Sequence, residues 1–273
     1  MKNLVMAMML LGLVGAVAWV GFRRTPVPAQ AAGEPTVGRR APVIVELFTS
    51  EGCSSCPPAD AVLAALEEEQ PVDGAQVIAL SEHVDYWNYI GWADPFSSAA
   101  YSARQELYAG VMRNERIYTP QMIVDGQAEF VGSNGAKARE AIARAARAPK
   151  ADVVVTRSAA APADALSLAF EIRIRDVPAI SAGDVAEVLF AITERRLASN
   201  VLRGENAGRK LSHTAVVREL RALGRIDPST NAYSGQTRMA LIDGWKRDNL
   251  QAVVFIQERA HRKILGAASI SCK

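Results

Sequence analysis

The stretch that most restricts this chain is Glu46–Pro58, "ELFTSEGCSSCPP". Two cysteines sit three positions apart, after an apolar run and before two prolines. The run Pro42–Thr49, "PVIVELFT", is mostly β-branched and apolar, which suits a buried strand. Beyond the cysteines, Ala59, Val62, Leu63 and Leu66 recur at helical spacing over Pro57–Gln70. Proline is tolerated in a helix's first turn and not deeper, so the helix is expected to begin at Cys56 or Pro57. Asp60 falls in that first turn, where the helix dipole favours an acid. A strand, a Cys-x-x-Cys turn and a helix suit thiol chemistry. Free N–H groups and the positive end of a helix lower a thiol pKa from about 8.5 toward 3.5–7.5.

The elements that follow alternate. Gln76–Leu80 reads as a second buried strand and Phe96–Arg113 as a helix. Thr119–Asp125 and Ala128–Val131 read as a hairpin turning at Gly126, and Asn134–Arg147 as a third helix. After Pro149-Lys150 the pattern changes. Leu166–Arg175, "LSLAFEIRIR", alternates apolar and polar. Similar runs at Ala186–Thr193, Lys210–Val217, Met239–Ile242, Ala252–Gln257 and Lys263–Ile270 are separated by turn-rich pieces. Only Val216–Leu223 suggests a helical turn. The expectation is an α/β domain over 42–148 followed by an antiparallel β-sandwich-like domain over 151–270.

The N-terminus is a separate matter. Leu4–Phe22 is apolar throughout, Arg23 and Arg24 follow, and small-x-small sites occur at Ala29-Gln30-Ala31 and Ala16-Val17-Ala18. Residues 1–31 therefore read as a signal peptide or, uncleaved, a membrane anchor, with the body outside the cytoplasm. The whole chain carries 31 basic and 29 acidic residues. Without Lys2, Arg23 and Arg24, 28 basic residues remain against those 29. A body with net charge −1 gives no reason to expect nucleic acid. No nucleotide loop, Ser-His pair or carboxylate pair stands out, and no cofactor is called for.

Four blocks carry a resemblance. "ELFTSEGCSSCPPAD", "HVDYWNYIGWADPF", "YTPQMIVDG" and "GENAGRKLSHTAVVREL" (Gly204–Leu220) resemble the secreted bacterial family catalogued as domain of unknown function 1223. Val43–Ala148 resembles the thioredoxin superfamily. The resemblance implies a thioredoxin-like domain followed by a β-rich one. It also implies a cis proline at Thr119-Pro120 facing the cysteines, and substrate backbone pairing at Thr119. By the same similarity Glu46, an acid on the strand before the cysteines, would move the proton of the resolving thiol; the alternative is that it faces a polar rim. The sequence departs from thioredoxin in having Gly52 before the pair and Ser54-Ser55 within it.

Three readings follow. The first is a thiol-disulfide oxidoreductase acting on protein thiols or disulfides in the cell envelope. Its nucleophile is Cys53, expected to be the more exposed thiol, and Cys56 is the resolving thiol. Trp87 and Trp92 belong to an aromatic run that either packs a loop onto the fold or forms a substrate wall. The second reading is a copper or zinc site using Cys53, Cys56 and His83. The third is a binding module whose cysteines are a structural disulfide. His213 alternates with apolar residues and reads as structural, and His261 lies in a basic loop-like stretch. Cys272, next to the C-terminus, is expected to be exposed, mobile and unbonded to the pair.

Overall fold

A computed structural model describes residues 40–114, 116–158 and 167–273. The leader or anchor expected over residues 1–31 lies outside the described residues, as does Leu166. Among the described residues, no helix is long and apolar enough to cross a membrane.

The chain runs β1 (Ala41–Thr49), α1 (Pro57–Glu69), β2 (Ala75–His83), α2 (Ala99–Met112), β3 (Gln121–Val124), β4 (Ala128–Val131) and α3 (Gly135–Ala145). It continues as β5 (Asp152–Arg157), β6 (Ser167–Arg175), β7 (Ala186–Glu194), β8 (Leu197–Asn200), β9 (Lys210–His213), β10 (Val216–Arg225), β11 (Tyr233–Ala240), β12 (Leu250–Glu258) and β13 (Ile264–Ser271). The result is a mixed α/β fold around one large sheet of order β13-β12-β7-β10-β2-β1-β3-β4.

That order corrects the expected pair of separate layers. Strands from both sides of Pro149-Lys150 share the sheet, because β10 lies parallel to β2 through Val216 and Ser81. The Ser81 N–H also donates to the Ala215 carbonyl at 2.8 Å. The physical reason lies in β2: eight of its nine residues are buried. Such a strand cannot leave one edge unpaired in the interior. A sandwich contact does exist, but within the large sheet's far end. Phe170, Ile172 and Ile174 of a smaller β11-β6-β5 sheet pack on Val188, Phe190, Ile192 and Val254.

Val216–Leu223 is strand and not helical turn. Its register against β7 shifts between Val217 and Glu219 and again between Ala222 and Gly224. Each irregularity disturbs the two-residue alternation, which is why the sequence reads ambiguously there. α2 starts three residues later than expected, because Ser98 caps it and accepts from the Ala100 N–H. Phe96 is left outside the helix.

β1 is covered on both faces. Val43, Val45 and Leu47 meet α1 and α3, while Ile44 and Phe48 lie in the clusters that hold Tyr101 and Tyr108 of α2. Cys272 is a further correction. β13 pairs with β12 nearly to the C-terminus, so Cys272 is buried in the core between the sheets. Burial raises its thiol to about 11.

Candidate active site

At the end of β1 the chain turns tightly. The Cys53 N–H donates to the Ser50 carbonyl at 3.2 Å, and the Cys56 N–H donates to the Cys53 carbonyl at 3.2 Å. Cys56 is the N-cap of α1, with prolines in the first two helical positions. Its carbonyl accepts from Ala59 at 2.8 Å and Asp60 at 3.1 Å. Both cysteines are free thiols. Cys53 is the more exposed of the two only narrowly, because the turn buries both: its exposure is 1% and that of Cys56 is 0%.

What separates the two thiols is their surroundings. Cys53 is lowered to about 6, first by the hydrogen bond from Cys56 and then by Ser55 and Thr119, against the opposing effect of burial. Its Sγ lies 3.3 Å from Ser55 Oγ. Cys56 is pushed far up, first by burial, then by its bond to Cys53 and the charges of Cys53 and Asp60. One sulfur is therefore a thiolate near neutral pH and the other stays protonated.

Thr119 stands beside both sulfurs, and the Thr119-Pro120 bond is cis, as the resemblance implies. The Trp87 indole N–H donates to Thr119 Oγ1 at 2.7 Å. A Cβ at Gly52 would come within 3.1 Å of Trp87 Cβ, so the turn before Cys53 fits closely against the base of this side chain. Trp92 serves differently. Its indole N–H donates to Glu51 Oε2 at 2.8 Å, so it holds a buried acid behind the turn.

A segment more than 150 residues away roofs the site. The Asn206 side-chain amide donates to the Glu51 and Cys53 carbonyls, each at 2.9 Å. The exposed Glu205 carboxylate accepts from the Ser54 N–H at 2.9 Å. Asn206→Ala leaves two buried carbonyls short of a donor. It is expected to cost about 1–3 kcal/mol in urea denaturation. It should also speed alkylation of Cys53, and an unchanged alkylation rate would show that Asn206 does not hold the cover down.

Glu46 is not brought to the thiols. It points to the α2 face of β1, where Arg104 Nε donates to its Oε1 at 2.7 Å and the Tyr108 hydroxyl donates to Oε2. Glu82 joins this buried group 3.4 Å from Arg104 Nε. The acid that faces the pair is Asp60. Thr49 Oγ1 donates to its Oδ1 at 2.9 Å. Burial pushes its carboxyl up, with His83, His213 and Thr49 opposing.

His83 is not gathered with the cysteines either. Its Nδ1 lies 2.7 Å from Asp94 Oδ2, and its ring meets Phe96 and His213. His213 takes Glu51 Oε1 at 2.9 Å through Nε2. Sequence reasoning missed Glu51, Asp94 and Asn206. A signal existed for Glu51, an acid in the turn itself. Asp184, Glu258 and His261 bring three metal-capable atoms within 4.8 Å of one another. However, Asp184 already accepts from the Val185, Ala260 and His261 N–H groups, and Glu258 from Ser181.

The profile of the family described as "Protein of unknown function (DUF1223)" matches residues 44–257, most of the chain. The chain belongs to the DUF1223 family. A search of curated proteins finds no match. Among solved structures, the X-ray crystal structure of protein AGR_C_4864 from Agrobacterium tumefaciens is similar at 26% identity and a TM-score of 0.63. The likeness covers 86% of this chain and 96% of that one. Within this DUF1223 member the match takes in the thiol turn, Thr119-Pro120 and the Asn206 roof.

Proposed function

We propose that this protein is a thioredoxin-like thiol-disulfide oxidoreductase, exported to the periplasm or beyond and membrane-held if its leader is retained. Its partners are protein thiols or disulfides of the envelope. The observation that carries the reading is the asymmetry of the two sulfurs. Cys53 thiolate attacks one sulfur of a substrate disulfide, the other substrate sulfur leaves as a thiolate, and a mixed disulfide forms. Cys56 then loses its proton and attacks Cys53 Sγ, which releases the second substrate thiol and leaves a Cys53–Cys56 disulfide. A protein disulfide meets Cys53 only after part of the Asn206 and Trp87 cover moves.

The test is equilibrium with a glutathione buffer. A thiol lowered to about 6 stabilises the reduced form at pH 7 by about 1.4 kcal/mol relative to an ordinary cysteine, equivalent to about 30 mV. If the pair exchanges with substrates, it should interconvert with a potential above about −300 mV, the level below which structural disulfides lie. A lower potential indicates a structural disulfide, and failure to form a 53–56 disulfide refutes the exchange reading.

A further inference from the structure

Behind α1, the His83 and His213 rings meet edge to face at 79°, with ring centres 4.9 Å apart. Both are buried, at 0% and 5% exposure. Each has a carboxylate on one ring nitrogen: Asp94 on His83 Nδ1 at 2.7 Å and Glu51 on His213 Nε2 at 2.9 Å. An ionised carboxylate only accepts, so those ring nitrogens carry the protons. The nitrogens left over for a ligand are then His83 Nε2 and His213 Nδ1. Both atoms are buried without a hydrogen-bond partner.

We infer that His83 Nε2 and His213 Nδ1, with Asp60 as a third ligand, form a site for a divalent cation of the zinc class. Four observations favour a cation. A carboxylate behind each imidazole is the arrangement that orients histidines on metals and raises their basicity. Two imidazoles on one tetrahedral ion, with bonds of about 2.0–2.1 Å, place their ring centres roughly 5 Å apart. Three carboxylates, Glu51, Asp60 and Asp94, surround the two rings. The nearby Arg218 guanidinium lies over Phe96 and pairs with Glu194 at 3.5 Å. Finally, a cleft of about 880 Å³ between α1 and the β8–β9 hairpin is lined by both Asp60 and His213, which provides a route from solvent.

Asp60 does not complete a triad as tight as the 4.8 Å group at Asp184. Its Oδ1 rests on Thr49. The site therefore requires Asp60 to leave Thr49 and close on an ion taken up first by the two imidazoles. The ligand set is imidazole and carboxylate and contains no thiolate, with Asp60 as the one group it shares with the surroundings of Cys56. The site stands independently of the exchange reading, which is measured in metal-free protein.

The experiment is titration of the chelator-stripped full chain with Co²⁺ and Zn²⁺. One Co²⁺ per chain should bind, with visible d–d bands and no thiolate-to-cobalt charge-transfer band. A Cys53→Ser/Cys56→Ser double variant should bind it equally. His213→Ala and Asp60→Asn should each weaken binding, His213→Ala by ~100-fold or more, and Glu51→Gln by ~10–100-fold. Asp60 lies on a helix beside the cleft and only partly buried, so its variant tests the site if His213→Ala fails to fold. The inference is overturned by any of three results: no stoichiometric Co²⁺ binding, loss of binding in the cysteine variant, or binding unchanged in folded His213→Ala or Asp60→Asn.

Discussion

Cys53→Ser is expected to abolish exchange with a small disulfide, and Cys56→Ser to keep the first attack while accumulating a mixed disulfide. The pH profile carries the sharper expectation. A thiol at about 6 is ionised across the range where an ordinary cysteine, at about 8.5, is not. Nucleophilicity falls with pKa, with a Brønsted slope of about 0.4–0.5, which offsets roughly 13-fold of that gain. The net advantage over a cysteine peptide is then roughly 20-fold at pH 5.5, about twofold at pH 7 and absent above about pH 7.5. Burial of Cys53 slows attack at every pH alike, so the inflection near 6 is the readout. Alkylation that instead rises with an inflection near 8.5 would refute the thiolate assignment, and with it the choice of Cys53 as nucleophile.

The largest stability effect is expected from Arg104→Ala. Arg104 is 7% exposed and is the cation shared by Glu46 and Glu82, both at 0%. Burial pushes Glu82 well up, and Arg104 opposes this. Removing the guanidinium leaves two carboxyl groups in the interior with no cation at that contact. Breaking such a pair costs about 3–5 kcal/mol, a large share of a typical 5–15 kcal/mol total. Urea denaturation measures it. Glu46→Gln should cost less, because Arg104 keeps Glu82. It should also leave the alkylation inflection of Cys53 where it is. A shift of that inflection by Glu46→Gln would place Glu46 in contact with the thiols and contradict the face assignment.

Much of the first half was legible. The apolar run, the two prolines and the helical spacing locate β1, the thiol turn and α1 closely, because each is a local pattern. The hairpin at Gly126 is equally local. Glu46 shows where local reading stops. An acid in an apolar strand shows that it needs a partner, but not which face of the sheet supplies one. With Ile44 and Phe48 it points toward α2, whereas Val45, Leu47 and Thr49 point toward α1. Only the positions of Arg104 and Tyr108, 58 and 62 residues away, turn that parity into a partner.

The sequence by itself determined the pair of thiols, the two prolines after them, the helix that Cys56 caps and the order of strands and helices from β1 to α3. Tertiary structure alone decided that one sheet joins the two halves, that Asn206 and Glu205 roof Cys53, and that His213 meets His83. A strand records in its own residues that both faces are buried, but not which distant strand will complete its edge. Likewise, a polar side chain shows that it needs a partner, while the partner's identity depends on contacts made across more than a hundred residues of chain.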